Sequence, residues 1–575
     1  MNDLEKKRHS LAHLLAAAVL EHDPEAKLTI GPAIDSGFYY DFELSIPSTE
    51  LDLKAVEKSM KKILNKWDGF EHKEVSAKEA KEIYKDNPYK MELINEIEEK
   101  GEKITLYTSG DFTDLCKGGH MDSMKSLDAK SFKLDKVAGA YWRGDEKNPM
   151  LTRIYGLAFE TKEDLDEYLK IREEAVKRDH RKIGKELGLF TFSDLVGPGL
   201  PLFTPKGTAL RNAIISKIHE IQGRYGYQEV WIPHITKSDL YKTSGHWEKF
   251  GDELFHVKGK ESEFVLKPMN CPHHTQIYAS AARSYKDLPL RFTEATAVYR
   301  DEQSGELLGL SRVRSITQDD GHVFCTEDQI EEEIGIMVKV IKEFYSLLGM
   351  FEDGKYRVTL SVRDPENLEN YLGEDSIWNT AEDALAKSAE KEGLSFEREE
   401  GEAAFYGPKL DFKFKDAIGR EWQLATAQLD FNMPKRFGLE YTDKDGTKKT
   451  PAMIHRAIAG SLERFLSVII EHFAGEFPFW MSPIQAKIVP VADVHNEKAK
   501  EVFDTIKEKG FRVELDDGDD GFGKKVRKAK NDKVPYFIIL GDKDIEDNKV
   551  TLESRNGESE QISLDEVIEK FEGEK

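Results

Sequence analysis

Cysteine is scarce in this 575-residue chain: only Cys116, Cys271 and Cys325 occur, far apart in sequence. So few scattered thiols exclude a disulfide framework and suit a reducing compartment, so a cytoplasmic protein is expected. Long apolar runs are missing as well. No window approaches the roughly 18 uncharged apolar residues of a membrane-spanning helix. The first residues mix Asp3, Glu5, Lys6, Lys7 and Arg8 with no cleavage pattern, so no secretory leader is read. Positive charge is outnumbered: 84 Lys and Arg against 108 Asp and Glu leave a net charge of −24. That argues against indiscriminate nucleic-acid binding and leaves room for a local basic patch. No internal repeat or low-complexity tract is evident. What is present is a globular composition, 39% hydrophobic and 33% charged, at a length suited to about three to five domains.

Periodicity divides the chain. Leu11, Leu14, Leu15 and Val19 open a helix, and residues 38–42 read as a strand. Residues 51–67 form an amphipathic helix with Val56, Met60, Ile63 and Leu64 on one side, and 77–84 and 89–100 read as further helices. A charged helix over 162–185 reads as a linker. Beyond it, loop signals at 197–201 and 205–207 precede a long amphipathic helix over 210–225 and a strand at 228–232. Alternating strands at 290–299, 311–319, 409–414 and 421–430 predict a large antiparallel sheet with helices against it. A strongly apolar helix over 454–473 closes this block, and Pro478 and Pro483 mark a boundary. The last stretch alternates strand (486–491), helix (497–509), strand (512–515), helix (523–531) and strand (536–540). That pattern predicts a small α/β domain with a mostly parallel sheet.

Several clusters carry chemistry. Arg300 and Glu302 share one face of a strand, Gly305 and Gly309 follow in a polar loop, and Arg312 and Arg314 return on the partner strand. Arginine's planar fork suits phosphate or carboxylate; a surface salt-bridge ladder is the plain alternative. Arg464, in an apolar helix, calls for a buried anionic partner, with an ordinary ion pair to Glu463 as the alternative. His9 and His13 stand one helical turn apart. With Cys116 and His120 of Asp114-Leu-Cys116-Lys-Gly-Gly-His120 they could by themselves make a zinc site, with ordinary core or surface histidines as the plain alternative.

The Arg300–Glu302 stretch and Gly460-Ser-Leu-Glu463-Arg464 resemble motifs 2 and 3 of class II aminoacyl-tRNA synthetases. The 210–225 helix followed by Val230-Trp-Ile-Pro233 resembles motif 1. Lys267-Pro-Met-Asn-Cys271-Pro-His-His, Arg312-Val-Arg-Ser-Ile-Thr-Gln318-Asp319-Asp320-Gly-His322 and Pro451-Ala-Met-Ile-His455-Arg-Ala look like the threonyl-tRNA synthetase family. The resemblance runs from His9 to the C-terminal domain. It implies an α+β multidomain chain: an editing domain over 1–160, a helical linker over 161–179, a class II antiparallel-sheet catalytic domain over 180–480 and an α/β anticodon-binding domain over 481–575. It implies ATP-dependent attachment of L-threonine to its tRNA through an adenylate, in a homodimer formed through the motif 1 region.

The resemblance also assigns residues. Cys271, His322 and His455 are implied as ligands of one zinc per chain, which binds the amino and hydroxyl groups of threonine. Three protein ligands leave an open position, as in catalytic zinc sites. A metal contact to the hydroxyl would reject valine, an isostere that an apolar pocket discriminates poorly. Arg300 is implied to bind the α-phosphate and the threonine carboxylate, Glu302 the adenine amino group, and Arg312 and Arg464 the β- and γ-phosphates, with Arg464 also stacking on adenine and Mg2+ bridging the phosphates. Ile316 and Gln423 match ATP positions, Met269, Asp320, Tyr406 and Gln428 threonine positions, and Gln318 and Lys409 catalytic ones. Serine lacks only a methyl, worth about 1–3 kcal/mol, so a second, hydrolytic site for Ser-tRNA is expected. His9, His13, Lys90, Asp114, Cys116 and His120 match that editing site, implied to work without a metal.

Some positions depart from the family pattern. Ile316 stands where phenylalanine is common beneath adenine. Lys117-Gly-Gly119 replaces Arg-Gly-Pro, which loosens the turn before His120. The family's N-terminal ubiquitin-like domain has no counterpart in the sequence. Glu546 and Arg555 match base-reading positions for the anticodon. Glu553 and the acidic 516–520 stretch depart from a basic pattern, while Lys524, Lys525, Arg527, Lys528 and Lys530 offer a phosphate-contacting patch. A non-catalytic paralogue should have lost Arg300, Arg464 or a metal ligand, and all are present. A metallo-hydrolase would not need the ATP motifs.

Overall fold

A computed structural model describes residues 2–260 and 262–575. The chain separates into two compact units, Met1–Glu174 and Ala175–Lys575.

In the first unit, helix Asp3–His22 begins at a capping box, in which Asn2 and Glu5 satisfy each other's backbone N–H groups. Leu11, Leu14, Leu15 and Val19 are fully buried, as their spacing predicts. They pack with helix Leu53–Leu64 and with Phe38, Tyr40 and Phe42 of strand Gly37–Glu43. That strand lies in an antiparallel sheet ordered Lys27–Leu28, Gly37–Glu43, Met150–Ala158, Phe132–Tyr141. A smaller antiparallel sheet, Glu71–Val75, Ile104–Ser109 and Phe112–Leu115, places Asp114 on its last strand and Cys116 just beyond it.

The linker prediction needs correction. Residues 162–185 form not one helix but two, Lys162–Arg178 and His180–Glu186, because Asp179 leaves helical geometry and caps the second by accepting from the Arg181 N–H.

The second unit is built on an eight-stranded sheet ordered Gln228–Glu229, Leu290–Tyr299, Ser315–Cys325, Ala452–Ala457, Glu421–Asp430, Lys409–Lys415, Tyr356–Val362, Phe396–Glu400. The pairs are antiparallel except at the two edges. Helices Pro205–Gly223, Ile330–Leu347, Asp375–Lys391 and Leu462–His472 share one apolar core with it. The apolar run at 454–473 is also corrected. Its first part continues strand Ala452–Ala457, and only Leu462–His472 is helical. Gly460, at φ +63°, and the N-cap Ser461 separate the two. Apolarity alone cannot tell a central strand from a buried helix.

Beyond residue 485 a five-stranded sheet runs Val513–Leu515, Ala486–Pro490, Tyr536–Leu540, Val550–Ser554, Ser559–Ile562. The first three strands are parallel as expected, and the last two add an antiparallel hairpin. That hairpin has a sequence signal, Asn556-Gly557 with Gly557 at φ +88°. No helix among the described residues is long and apolar enough to cross a membrane.

Candidate functional sites

Strand register assembles the main site. Lys409 lies opposite Gln428, Gln428 opposite His455, His455 opposite His322 and His322 opposite Phe292. Directly paired residues share a face of the sheet, and so do alternate residues along a strand. Gln318, Asp320 and His322 therefore face the same side, together with Glu294 and Thr296. Helix Cys271–Ala279 carries the last component, Cys271, at its first turn.

The Cys271 thiol and the His322 and His455 rings are buried, with donor atoms within 4.8 Å of one another. Nε2 of His322 lies 3.0 Å from Nδ1 of His455, whose Nε2 is 3.0 Å from an Asp430 carboxylate oxygen. Asp430 thereby orients the ring, the usual role of a carboxylate behind a metal-binding histidine. One sulfur and two imidazoles are a zinc-type donor set. Asp320 stands beside it, accepting from the Asn270 amide at 3.1 Å. Burial pushes the Asp320 carboxyl up from its ordinary value. Tyr406 donates to Gln428 at 2.6 Å, and its ring stacks on His455.

The adjoining cavity, about 510 Å³, is lined by Arg300, Glu302, Arg312, Ile316, Gln318, Gln423, Gly460, Ser461 and Arg464 among others. That size suits a nucleotide. Arg300 donates to Met269 Sδ at 3.2 Å and lies over the Phe250 ring. Its Nε is buried and has no hydrogen-bond partner. Glu302 is engaged by Arg312 at 2.6 Å. Glu463 does not pair with Arg464. It accepts from both the N–H and the hydroxyl of Thr317, each at 2.7 Å, while Arg464 lies over the Trp422 ring. Lys409 pairs with Asp411 at 3.0 Å.

The second site lies in the first unit. His9 Nε2 is 3.0 Å from Cys116 Sγ, and Cys116 Sγ is 3.4 Å from His120 Nε2. His13 Nδ1 is 3.3 Å from Asp114, which also pairs with Lys90 at 2.5 Å and accepts from Tyr40 at 2.6 Å. All six residues matched from sequence therefore converge. Burial lowers the pKa of His9, takes His13 well below its ordinary value and pushes His120 down to about 2. Burial also pushes the Cys116 thiol up to about 11. At neutral pH the rings are uncharged and the thiol is protonated. Gly118 and Gly119 sit at φ +95° and +90°. Proline is restricted to a negative φ, so this turn is one that proline at 119 could not follow.

In the C-terminal domain Glu546 is exposed at the end of helix Asp542–Glu546. Arg555 turns inward instead, donating to the Phe477 carbonyl at 3.0 Å. Of the expected basic patch, Lys525 is buried, and Lys524 and Lys530 pair with Asp520 and Glu553. Sequence reasoning passed over Tyr40, His246 (3.6 Å from Cys271 Sγ) and Asp430. Only the fold brings them in, although Asp430 closes the strand that carries Gln428.

Family models match three parts of the chain: the tRNA synthetase class II core domain (G, H, P, S and T) at residues 255–473, an anticodon binding domain at 485–574, and the threonyl and alanyl tRNA synthetase second additional domain at 104–155. The chain is 49% identical to the threonine–tRNA ligase of Rubrobacter xylanophilus, covering 99% of this chain and 88% of that one. It is 46% identical to the threonine–tRNA ligase of a Synechocystis strain, over 99% and 95%. Among solved structures, the RNA binding domain of threonyl-tRNA synthetase from Cryptosporidium parvum Iowa II matches with a TM-score of 0.66 at 37% identity, covering 69% of this chain and 98% of that one.

Proposed function

The chain belongs to the threonine–tRNA ligase family, and from that premise we infer which of its residues charge tRNA with threonine at the expense of ATP and which edit mischarged tRNA. The threonine carboxylate attacks the α-phosphate, pyrophosphate leaves, and the adenylate passes threonine to the tRNA. The protein's work is positioning and charge stabilisation. Arg300 binds the α-phosphate and the carboxylate. The observation that carries this is its buried, unpartnered Nε between the nucleotide cavity and the threonine side of the site. Glu302 receives the adenine amino group against Ile316. Arg312 and Arg464 hold the outer phosphates, with Mg2+ accompanying ATP. Gln318 and Gln423 complete the polar lining, and Lys409, paired with Asp411, lies in the row with Gln428 and His455. Pyrophosphate exchange measured across the twenty amino acids tests the reading. Threonine should drive it strongly and serine weakly; exchange driven by another amino acid, or by none, overturns it.

Cys271, His322 and His455 would hold one zinc ion. Zinc bound there would supply a Lewis acid for the amino and hydroxyl groups of threonine. Asp320 gives the hydroxyl a second partner, and Met269, Tyr406 and Gln428 enclose the side chain. In the N-terminal site, the uncharged His9, His13 and His120 rings offer hydrogen bonds that place a water against the ester of Ser-tRNA. Lys90 and Asp114 hold that geometry from behind. The protonated Cys116 supports hydrolysis by water rather than a thioester. Purified protein should therefore contain one zinc per chain, not two. Cys271→Ala should remove it, and His120→Ala should leave the content unchanged. Metal analysis that finds zinc retained in Cys271→Ala overturns the assignment.

Glu546 and the exposed Lys524, Arg527, Lys528 and Lys530 are the anticodon-side candidates for contact with threonine tRNA. Arg555 remains assigned to the anticodon through its position, although its guanidinium holds the Phe477 carbonyl. The homodimer reading is supported by Trp231, 76% exposed beside the edge strand Gln228–Glu229, and by exposed Ile235. Three free thiols suit a reducing, cytoplasmic compartment.

A further inference from the structure

We propose that His274 and Glu294 are positioning residues that fix the proton on His322 and so keep its Nε2 lone pair free for the metal. The inference rests on the zinc reading above and concerns residues that it leaves unused. His274 lies one helical turn after the ligand Cys271 on helix Cys271–Ala279 and is fully buried. Its Nδ1 is 2.7 Å from Nδ1 of His322. Its Nε2 points to a Glu294 carboxylate oxygen at 3.7 Å. Those two atoms, His274 Nε2 and Glu294 Oε2, are both buried without a hydrogen-bond partner. The other Glu294 oxygen is occupied, accepting from the Ile232 N–H at 3.0 Å.

Proton accounting follows from these distances. A neutral imidazole carries one N–H and one lone pair. If His322 binds a metal through Nε2, its proton must sit on Nδ1. That proton points at His274 Nδ1, which must then accept. His274 therefore carries its own proton on Nε2, facing the Glu294 carboxylate. A small side-chain movement closes the remaining gap to hydrogen-bond length. The opposite arrangement, with His274 donating to His322, would put the His322 proton on Nε2 and remove the lone pair. The buried Glu294 carboxylate behind His274 favours the first arrangement; the Asp320 carboxylate, 3.7 Å from His322 Nε2, pulls the other way until a metal takes that lone pair. Both ligand histidines thus end on a buried carboxylate: His455 directly on Asp430, His322 through His274 on Glu294. Such partners hold ring orientation and tautomer.

The test is zinc release to a chelator, followed with a zinc-sensitive dye on the full chain, with circular dichroism confirming the fold. His274→Leu removes the acceptor and should weaken zinc binding by about 10–100-fold, the usual loss for such a partner. His274→Asn replaces Nδ1 with an amide oxygen at a similar reach and should stay near the parent. Glu294→Gln keeps the shape and the acceptor for Ile232, but offers His274 a donor. It should loosen zinc clearly, and it remains informative if His274→Leu does not fold. Cobalt-substituted protein should report the same order in its thiolate-to-metal absorption. Parental zinc release by both folded His274→Leu and Glu294→Gln overturns the proposal. So does His274→Asn losing zinc as readily as His274→Leu, because shape rather than an acceptor would then matter. A parent protein without zinc overturns the underlying reading instead, and metal analysis separates that case before any variant is compared.

Discussion

Replacing His9 and His13 together by alanine is expected to slow hydrolysis of preformed Ser-tRNA by about 10²–10⁴-fold, the range lost with a positioned acid–base group. Threonylation should be nearly unchanged, since both residues lie in the unit Met1–Glu174, whereas the nucleotide cavity and the metal set lie in Ala175–Lys575. The geometry makes the two rings effective together. His9 is held by the Gly31 carbonyl on Nδ1 and by Cys116 on Nε2, and His13 faces Asp114. Burial keeps both uncharged at neutral pH. Alanine removes both rings and leaves Lys90 and Asp114 paired with each other. His13 also belongs to the buried core of the unit, so His9→Asn, at a partly exposed position, is the companion that spares the fold. Deacylation measured as a rate decides the matter. Parental clearance by the folded double variant would remove these residues from editing, and a parallel loss of threonylation would make their role structural.

Arg300→Ala should lower threonyl-adenylate formation by about 10²–10³-fold, the size lost with one preorganised electrostatic contact to a developing charge. Arg300 is suited to that role by its setting. The Phe250 ring and Met269 Sδ hold the guanidinium in place, and its backbone N–H donates to the Arg314 carbonyl at 3.1 Å. Arg312 holds one Glu302 oxygen, Oε2, which leaves Oε1 for the adenine amino group and Arg300 available to a ligand. Since the charge on the transferring phosphate grows toward the transition state, the loss should fall on kcat more than on the KM for ATP. Pyrophosphate exchange at saturating ATP and threonine measures it. Exchange within a few-fold of the parent would show that Arg300 is not the α-phosphate group.

Much of the architecture was legible from local patterns. The apolar spacing of Leu11, Leu14, Leu15 and Val19 marked a helix, and alternation marked strands Leu290–Tyr299 and Glu421–Asp430, because one side of each element must be buried. The strand read at 311–319 runs Ser315–Cys325, so Arg312 and Arg314 lie in the loop before it, and Arg300 and Glu302 lie just past strand Leu290–Tyr299. Two further boundaries were misread. The break at Asp179 depends on a single capping side chain inside an otherwise helical run. The apolar run carrying His455 hides a strand because a strand in mid-sheet, covered on both faces, has no polar side to alternate with. Cys271, His322 and His455 were picked out by motif, and so were Arg300 and Arg464; spacing alone would not have joined residues so far apart in the chain.

The sequence by itself determined the family, the domain order, and the residue types available for phosphate, metal and hydrolytic chemistry. Those are properties of composition and short motifs, and local periodicity preserves them. Only the tertiary structure decided which of those residues meet. Register across four strands sets Lys409, Gln428, His455 and His322 in one row, and a helix end brings Cys271 to it. The fold likewise chose the partners: Asp430 behind His455, His274 and Glu294 behind His322, Thr317 rather than Arg464 for Glu463, and the Phe477 carbonyl for Arg555. The physical reason is that a buried polar atom must find its partner within hydrogen-bond reach, wherever in the chain that partner lies. Which atoms come within reach is set by strand pairing and packing over long sequence separations, and no local pattern of residues encodes that.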